Sequence, residues 1–396
     1  MRRRLFLRAS LASAGAFALD PSSVARLLAQ GRCPDDRPAG SLLETLPLTG
    51  DRPRDTPFGE AVGGPGLDTR VFTDLSLITP DRLLTPSDRV FVRTAPPPGV
   101  SDRQPNWAVS LPAGSTPSKL DLGSLRRRAR PMGVHLIECA GNNDPNNFGL
   151  LSAADWTGVP LQDIVTPLAP TPGGAYGVLV TGEDDETRRA RSSVPGASWI
   201  LPLADLPRLG AFLATEMNGE PLPVGHGAPV RLVVPGWYGC SWIKWVRDIR
   251  LVGPDAPVTS QMAEFAGRTH QGGRPALARD YEPPVIDVAA TPIRVERRLV
   301  GGAVEHHVVG IVWGGARPVT TLEIRFGPRD PWRPLDVCPP PTSTRAWALW
   351  TYRWTPPAPG SYSISLRCPD PDVRTRRLDL FFYTRRVSIE RLTMGD

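Results

Sequence analysis

Apolar residues along this chain gather into short runs of strand composition, broken at close intervals by Pro, Gly, Asn and Asp. Val90-Phe-Val-Arg93 is one such run, and it stops at Thr94-Ala-Pro-Pro-Pro98, where proline has no N–H to give a ladder. His135-Leu-Ile-Glu-Cys139 is another, and it runs straight into the turn residues Gly141-Asn142. Arg231-Leu-Val-Val-Pro235 and Val246–Val252 continue the series. Two stretches keep helical spacing instead, Leu161–Leu168 and Leu203–Leu209. Residues 256–283 are polar and Gly-rich, which predicts a long connection over the surface. From Pro284 the pattern is strand after strand, with Val308–Trp313, Thr320–Phe326, Ala346–Trp354 and Tyr362–Leu366 separated by turns. That spacing predicts a sandwich of immunoglobulin type.

The expected fold class is therefore α+β, with a mixed domain over 85–283 and an all-β domain over 284–396. Residues 31–84, rich in Pro, Gly and Asp, read as an extended lead-in. A chain of 396 residues exceeds one ordinary core, which agrees with two domains. Abundant Pro (46) and Gly (38) favour strands and turns over long helices.

The first 30 residues read as an address. Arg3-Arg-Leu-Phe-Leu-Arg8 precedes the mildly apolar Ala9–Leu19, a pattern that looks like a twin-arginine export signal and predicts a periplasmic or otherwise exported protein. This segment holds five Arg and one Asp, or +4 of the formal +6. The remainder is nearly neutral, so the high pI makes no case for nucleic acid. No later run approaches the apolar length of a stable membrane span.

Five cysteines in an exported chain raise the question of disulfides. Cys338 and Cys368 fall in the C-terminal β region and are candidates to bridge neighbouring strands, which geometry decides. Cys33 follows the signal but lacks the small-residue spacing of a lipoprotein box. Cys139 at a strand end is a soft ligand facing a pocket, and a ligand must be a thiolate.

Lys244 carries a second signal. Two lysines stand against 44 arginines, and a Lys between Trp242 and Trp245 marks a site that wants a compact ammonium. There is no GxGxxG, no Walker loop and no Cys-x-x-Cys-His haem site. His306-His307 has no third ligand at sensible spacing and reads as solvent-facing strand.

Taken in order, His135–Asn142, His226-Gly-Ala-Pro-Val-Arg231 and Trp237-Tyr-Gly-Cys-Ser-Trp-Ile-Lys244-Trp resemble the sulfite oxidase family of molybdopterin enzymes. The resemblance spans about residues 85–370. It implies a sulfite oxidase-type molybdopterin-binding domain, followed by the immunoglobulin-like domain that supports dimerisation in the family. Cys139 would be the sole protein bond to molybdenum. Asn142, His226, Arg231, Ser241 and Lys244 would hold the pterin cofactor. Arg93 matches an arginine of the family's Phe-x-Arg-Asn-His segment, although the histidine of that segment is Ala95 here. Tyr281 is the nearest counterpart of the catalytic tyrosine, with Phe265 the other occupant of that place. Asp155–Leu161 resembles a further family stretch, in which Trp156 reads as packing.

Some positions depart from the pattern. The family continues past Asn142 with two arginines, where this chain has Asn143-Asp144, and the C-terminal arginine signature is missing after Cys368. These departures favour a neutral or organic substrate over a dianion. No cytochrome b5-like segment is present, so electrons would leave to a separate carrier such as a c-type cytochrome. The resemblance thus implies an exported oxygen-atom-transferring enzyme that is sulfite dehydrogenase-like. A reductase of sulfoxide or other oxo substrates and a metal-free binding protein are the alternatives.

Overall fold

The computed structural model describes residues 40–49, 57–113, 116–143, 148–168, 174–184, 190–191, 193–375 and 384–390. The export segment, Cys33 and Asp144 lie outside them.

Two sheets build the first core. One runs in the order β11 (Glu220–Pro221), β10 (Phe212–Met217), β7 (Leu151–Pro160), β6 (Arg130–Glu138), with β12 (Arg231–Val233) also paired to β10. The other runs β5 (Thr116–Asp121), β4 (Ala108–Ala113), β13 (Asp248–Val252), β8 (Gly177–Thr181), β9 (Ser198–Pro202). A short ribbon of β2 (Arg70–Val71) and β3 (Val92–Arg93) lies beside them. Phe72, Leu75, Ile78 and Phe91 from the early chain join this core, together with Trp156, Trp199, Phe212 and Trp245. The lead-in therefore supplies core residues as well as chain length.

Two further antiparallel sheets enclose the second core. One is β1 (Ser41–Leu46), β14 (Ala289–Val300), β15 (Ala303–Trp313) and β18 (Ala348–Trp354). Facing it are β17 (Arg333–Asp336), β16 (Thr321–Arg325), β19 (Gly360–Arg367) and β20 (Arg385–Ile389). β15 belongs to both cores. Its Val308 and Val312 face the second core, and its Val309, Ile311 and Trp313 face the first. Side chains alternate across a strand, so a continuous apolar run lets one strand serve two interiors at once.

Several elements differ from the sequence reading. The Leu161–Leu168 helix is shorter, Leu161–Val165, and Val90 and Phe91 are buried coil before a two-residue strand. The 256–283 connection is not a mere surface crossing. It contains a Ser260–Phe265 helix capped by the Thr259 hydroxyl and sends Met262, Phe265, Ala266, Ala278 and Tyr281 into the first core. Its Gly and Arg residues mask that stripe of apolar side chains. His307 is buried against Glu305, Nε2 to Oε2 3.2 Å, and the half-buried His306 stands edge-on to Trp354. The expectation of solvent-facing histidines is corrected by the charged network on β14 and β15 that encloses them. Cys338 is disulfide-bonded while Cys368 keeps a free thiol, so these two do not bridge each other.

Candidate active site

β6 is exposed at its start and buried at its end, so it delivers Cys139 into the interior just where the ladder stops. Cys139 N–H donates to Leu150 O at 3.0 Å, and Asn142 N–H donates back to Cys139 O at 2.9 Å. This tight turn aims the thiol into a cleft lined by Cys139, Arg93, His226, Arg231 and Lys244, with Ile137, Trp242 and Phe265 among its walls. The cleft encloses about 850 Å³ of space free of protein atoms, its open mouth included. Gly141 N–H donates to Cys139 Sγ at 3.4 Å.

The opposite wall carries the cations. Arg231 enters from β12 and is buried. Its Nη1 donates to His226 O at 3.0 Å, while Nε has no partner and no carboxylate pairs with it among the described residues. The guanidinium lies against the rings of Trp156 and Trp242, 5.4 and 5.7 Å from their centroids. Burial lowers its pKa to about 9. Lys244 Nζ donates to Thr94 O at 2.6 Å and Gly225 O at 3.0 Å, and sits 4.3 Å from the Trp245 ring centroid. Burial, then the charge of Arg231, pushes its pKa well down. His226 is driven to about 3 by burial and by the two cations, so it faces the cleft as a neutral imidazole. Gly227 permits this crowding: at φ +104°, a Cβ there would stand 3.0 Å from Arg231 Cβ and 3.1 Å from the Lys244 backbone.

Of the remaining predicted residues, Arg93 lies in the cleft, its Nη2 donating to Ser193 Oγ at 2.6 Å. Asn142 and Ser241 are fully buried and outside the lining. Asn142 braces the Cys139 turn, accepting from Leu150 N–H at 3.2 Å and donating to Glu138 Oε1 at 3.3 Å. Ser241 caps its own turn through Tyr238 O. Tyr281 is not brought to the cleft. Its hydroxyl bonds Thr269 Oγ1 at 2.7 Å and its ring meets Trp199 edge-on, so burial raises its pKa. Phe265 is the one that reaches the lining. Cys240, Asp184, Gln261 and Glu264 line it too and were missed, because none sits in a recognisable spacing.

The buried Arg231 guanidinium has no carboxylate partner among the described residues, and the Lys244 ammonium beside it is only partly offset by Asp184, so the two are costly unless an anion arrives to meet them. One soft thiolate across from them is the donor that a high-valent, sulfur-bound metal requires. These residues fit an anionic metal cofactor with a phosphorylated tail.

Comparison with known proteins agrees. Residues 95–258 match the family model described as oxidoreductase molybdopterin binding domain. Sulfite oxidase of Gallus gallus is 29% identical over 371 residues, covering 86% of this chain and 76% of that protein. Mitochondrial sulfite oxidase of Homo sapiens is 27% identical, covering 89% and 67%. This protein is a molybdopterin oxidoreductase. Its cofactor is molybdenum–molybdopterin, and its relatives support the sulfite oxidase family. The fold of this oxidoreductase is also that of the sulfane dehydrogenase SoxCD from Paracoccus pantotrophus, with a TM-score of 0.59 at 18% identity over 87% of this chain and 85% of that one. In the oxidoreductase, Cys139, His226, Arg231 and Lys244 line one cleft. Among the described residues no helix is long and apolar enough to cross a membrane.

Proposed function

We propose that the enzyme oxidises a small sulfur oxyanion, in the manner of a sulfite dehydrogenase, and passes the electrons to an external carrier. The balanced reaction is sulfite plus water to sulfate, two protons and two electrons, the electrons taken singly by a carrier such as a c-type cytochrome. When bound, the cofactor supplies a redox-active metal that exchanges an oxygen atom and electrons with the substrate. The chain's own share is positional. Cys139 would hold the metal, Arg231 and Lys244 would neutralise the anionic tail, and the Trp242 and Phe265 walls would exclude water. The convergence in one cleft of a buried thiol with the buried Arg231 guanidinium, which has no carboxylate partner among the described residues, carries this reading.

The Arg3-Arg4 segment supports export of the folded, cofactor-loaded protein through the twin-arginine pathway to the periplasm. The paired C-terminal sheets support an immunoglobulin-like domain and, through it, a homodimer. A second reading runs the oxygen transfer in reverse, as a reductase of an oxo substrate. Nitrate reductase of Neurospora crassa, 31% identical over 47% of this chain and 21% of that protein, supports it. Sulfite-dependent ferricyanide reduction by purified protein of known molybdenum content decides between them. Turnover establishes the sulfite dehydrogenase, and no turnover by metal-loaded protein points to the reductase or to an organic substrate.

A further inference from the structure

One buried carboxylate stands where the two cores meet. Asp287 lies between Ile286, which packs in the first core, and Val288, which packs in the second. Its side chain is 2% exposed, and the backbone around it is tied on both sides. Ile286 N–H donates to Gly236 O at 2.9 Å, Gly315 N–H to Ile286 O at 2.8 Å, and Val288 N–H to Arg374 O at 3.2 Å. Gly314 presses against it at φ +80°, where a Cβ would stand 2.2 Å from Asp287 O. A carboxylate in such a place is costly unless basic groups meet it.

Two basic side chains do. Arg374 Nε donates to Asp287 Oδ1 at 2.6 Å, from a segment whose Val373 packs on the second core. His270 Nε2 stands 2.6 Å from Oδ2. That oxygen has no aligned hydrogen-bond donor among the described residues, so the imidazole meets it side-on. His270 belongs to the turn after the Ser260–Phe265 helix and takes a left-handed φ of +61°. Such a conformation costs a non-glycine residue energy and persists only where contacts hold it. The other side-chain bonds of the turn stay inside the 256–283 connection, Thr269 Oγ1 with Phe265 O and Tyr281 Oη, and Gln271 with Glu282. Gly272 and Gly273, just beyond, are exposed, and a Cβ on either would meet nothing within 4 Å. His270 therefore ties the turn outward, to the junction of the cores.

We propose that Asp287 and His270 are positioning residues for the cleft, a clasp through which the second core holds a wall of the first in place. The helix that leads into the His270 turn ends at Phe265, which is part of the lining. On the other side, Asp287 N–H donates to Tyr238 Oη at 3.5 Å, and Tyr238 begins the loop that brings Trp242 and Lys244 to the lining. Asp287 itself is outside the lining, so it acts through these two neighbours. The clasp sets how often the Phe265 wall opens, whichever substrate the enzyme turns over.

The test is hydrogen exchange by mass spectrometry on full-length, molybdenum-loaded protein, read over residues 265–271 beside a urea titration. His270→Asn removes the imidazole and keeps a residue at ease with positive φ. Its amides at 265–271 are expected to exchange about five- to tenfold faster. The urea midpoint is expected to stay at the wild-type value, because a local opening leaves the global transition alone. Molybdenum loss to a chelator is expected to quicken by a similar factor, and His270→Gln, with its longer amide, to restore part of the protection. In an Asp287→Asn background the His270→Asn change is expected to add little, since the two residues share one contact. Unchanged exchange in His270→Asn, or an equal increase in the Asp287→Asn background, overturns the clasp. A uniform rise in exchange with a lowered urea midpoint overturns it as well and leaves His270 a plain structural contact.

Discussion

Trp313 Nε1 donates to Glu138 Oε2 at 2.9 Å, and both residues are buried. The bond joins β15 to the residue immediately before Cys139. Glu138 Oε1 also accepts from Asn142, so one carboxylate clamps the Cys139 turn from both sides. Trp313→Phe removes the indole donor and keeps an aromatic ring in place. It is expected to cost about 1–3 kcal/mol, read as a lower urea midpoint with unchanged slope, and to speed molybdenum loss on dialysis against a chelator.

Cys139→Ser keeps the shape of the side chain and exchanges a soft donor for a hard one. Sulfite-dependent ferricyanide reduction is expected to disappear while the far-ultraviolet circular dichroism stays the same. Retained activity would remove Cys139 from the metal.

Arg231→Leu separates binding from folding. The guanidinium is buried without a carboxylate, so an apolar side chain of smaller volume relieves the cofactor-free protein. The apoprotein is expected to be at least as stable as wild type by thermal melting. Molybdopterin occupancy is expected to fall by about tenfold or more, the worth of a charge-assisted contact.

Tyr281 bonds Thr269 away from the cleft. Tyr281→Phe is therefore expected to cost about 1 kcal/mol of stability and to leave kcat within about threefold, under 1 kcal/mol of barrier. A collapse of kcat with normal molybdenum content would return Tyr281 to the chemistry.

Acid should destabilise the fold through two imidazoles. Burial, then the charge of Arg345, holds His135 at about 4, and His226 lies at about 3. Unfolded histidine takes its proton near pH 6.5. Both pKa values are depressed on folding, so their contribution is complete above about pH 6.5 and is lost as pH falls toward 4 and below. From pH 6.5 to 5, His135 alone accounts for about 2 kcal/mol. Urea titrations should show His135→Gln losing that much less than wild type over the interval.

Much of the Cys139 side of the cleft was legible in the sequence because it is local. Cys139 and its turn occupy four consecutive residues, and the excess of Arg over Lys singled out Lys244 before any contact was known. Strand composition placed β12, β13, β15, β16, β18 and β19. The far walls of the cleft were less legible, since Asp184, Gln261 and Glu264 lie far from Cys139 along the chain and reach the lining only through the fold. Residues 256–283 misled for a related reason, because five buried side chains were diluted among Gly and Arg in a segment too short for clear periodicity.

β1 has no partner until β14 exists: Ser41 pairs with Leu299 and Leu46 with Val295. In a chain made from its N-terminus, that strand must wait for some two hundred and fifty later residues before its ladder can form. The wall behind Cys139 is late as well, since Trp313 and Trp347 close the first core. Contacts of such span make slow folders, and the cleft takes its final shape only once Trp313 and Trp347 have been made. A fragment cut to residues 95–258 would leave Phe72, Leu75, Ile78, Ile286 and Trp313 behind and expose the apolar faces they cover. The smallest unit able to fold around the cofactor is thus far longer than the stretch that binds it.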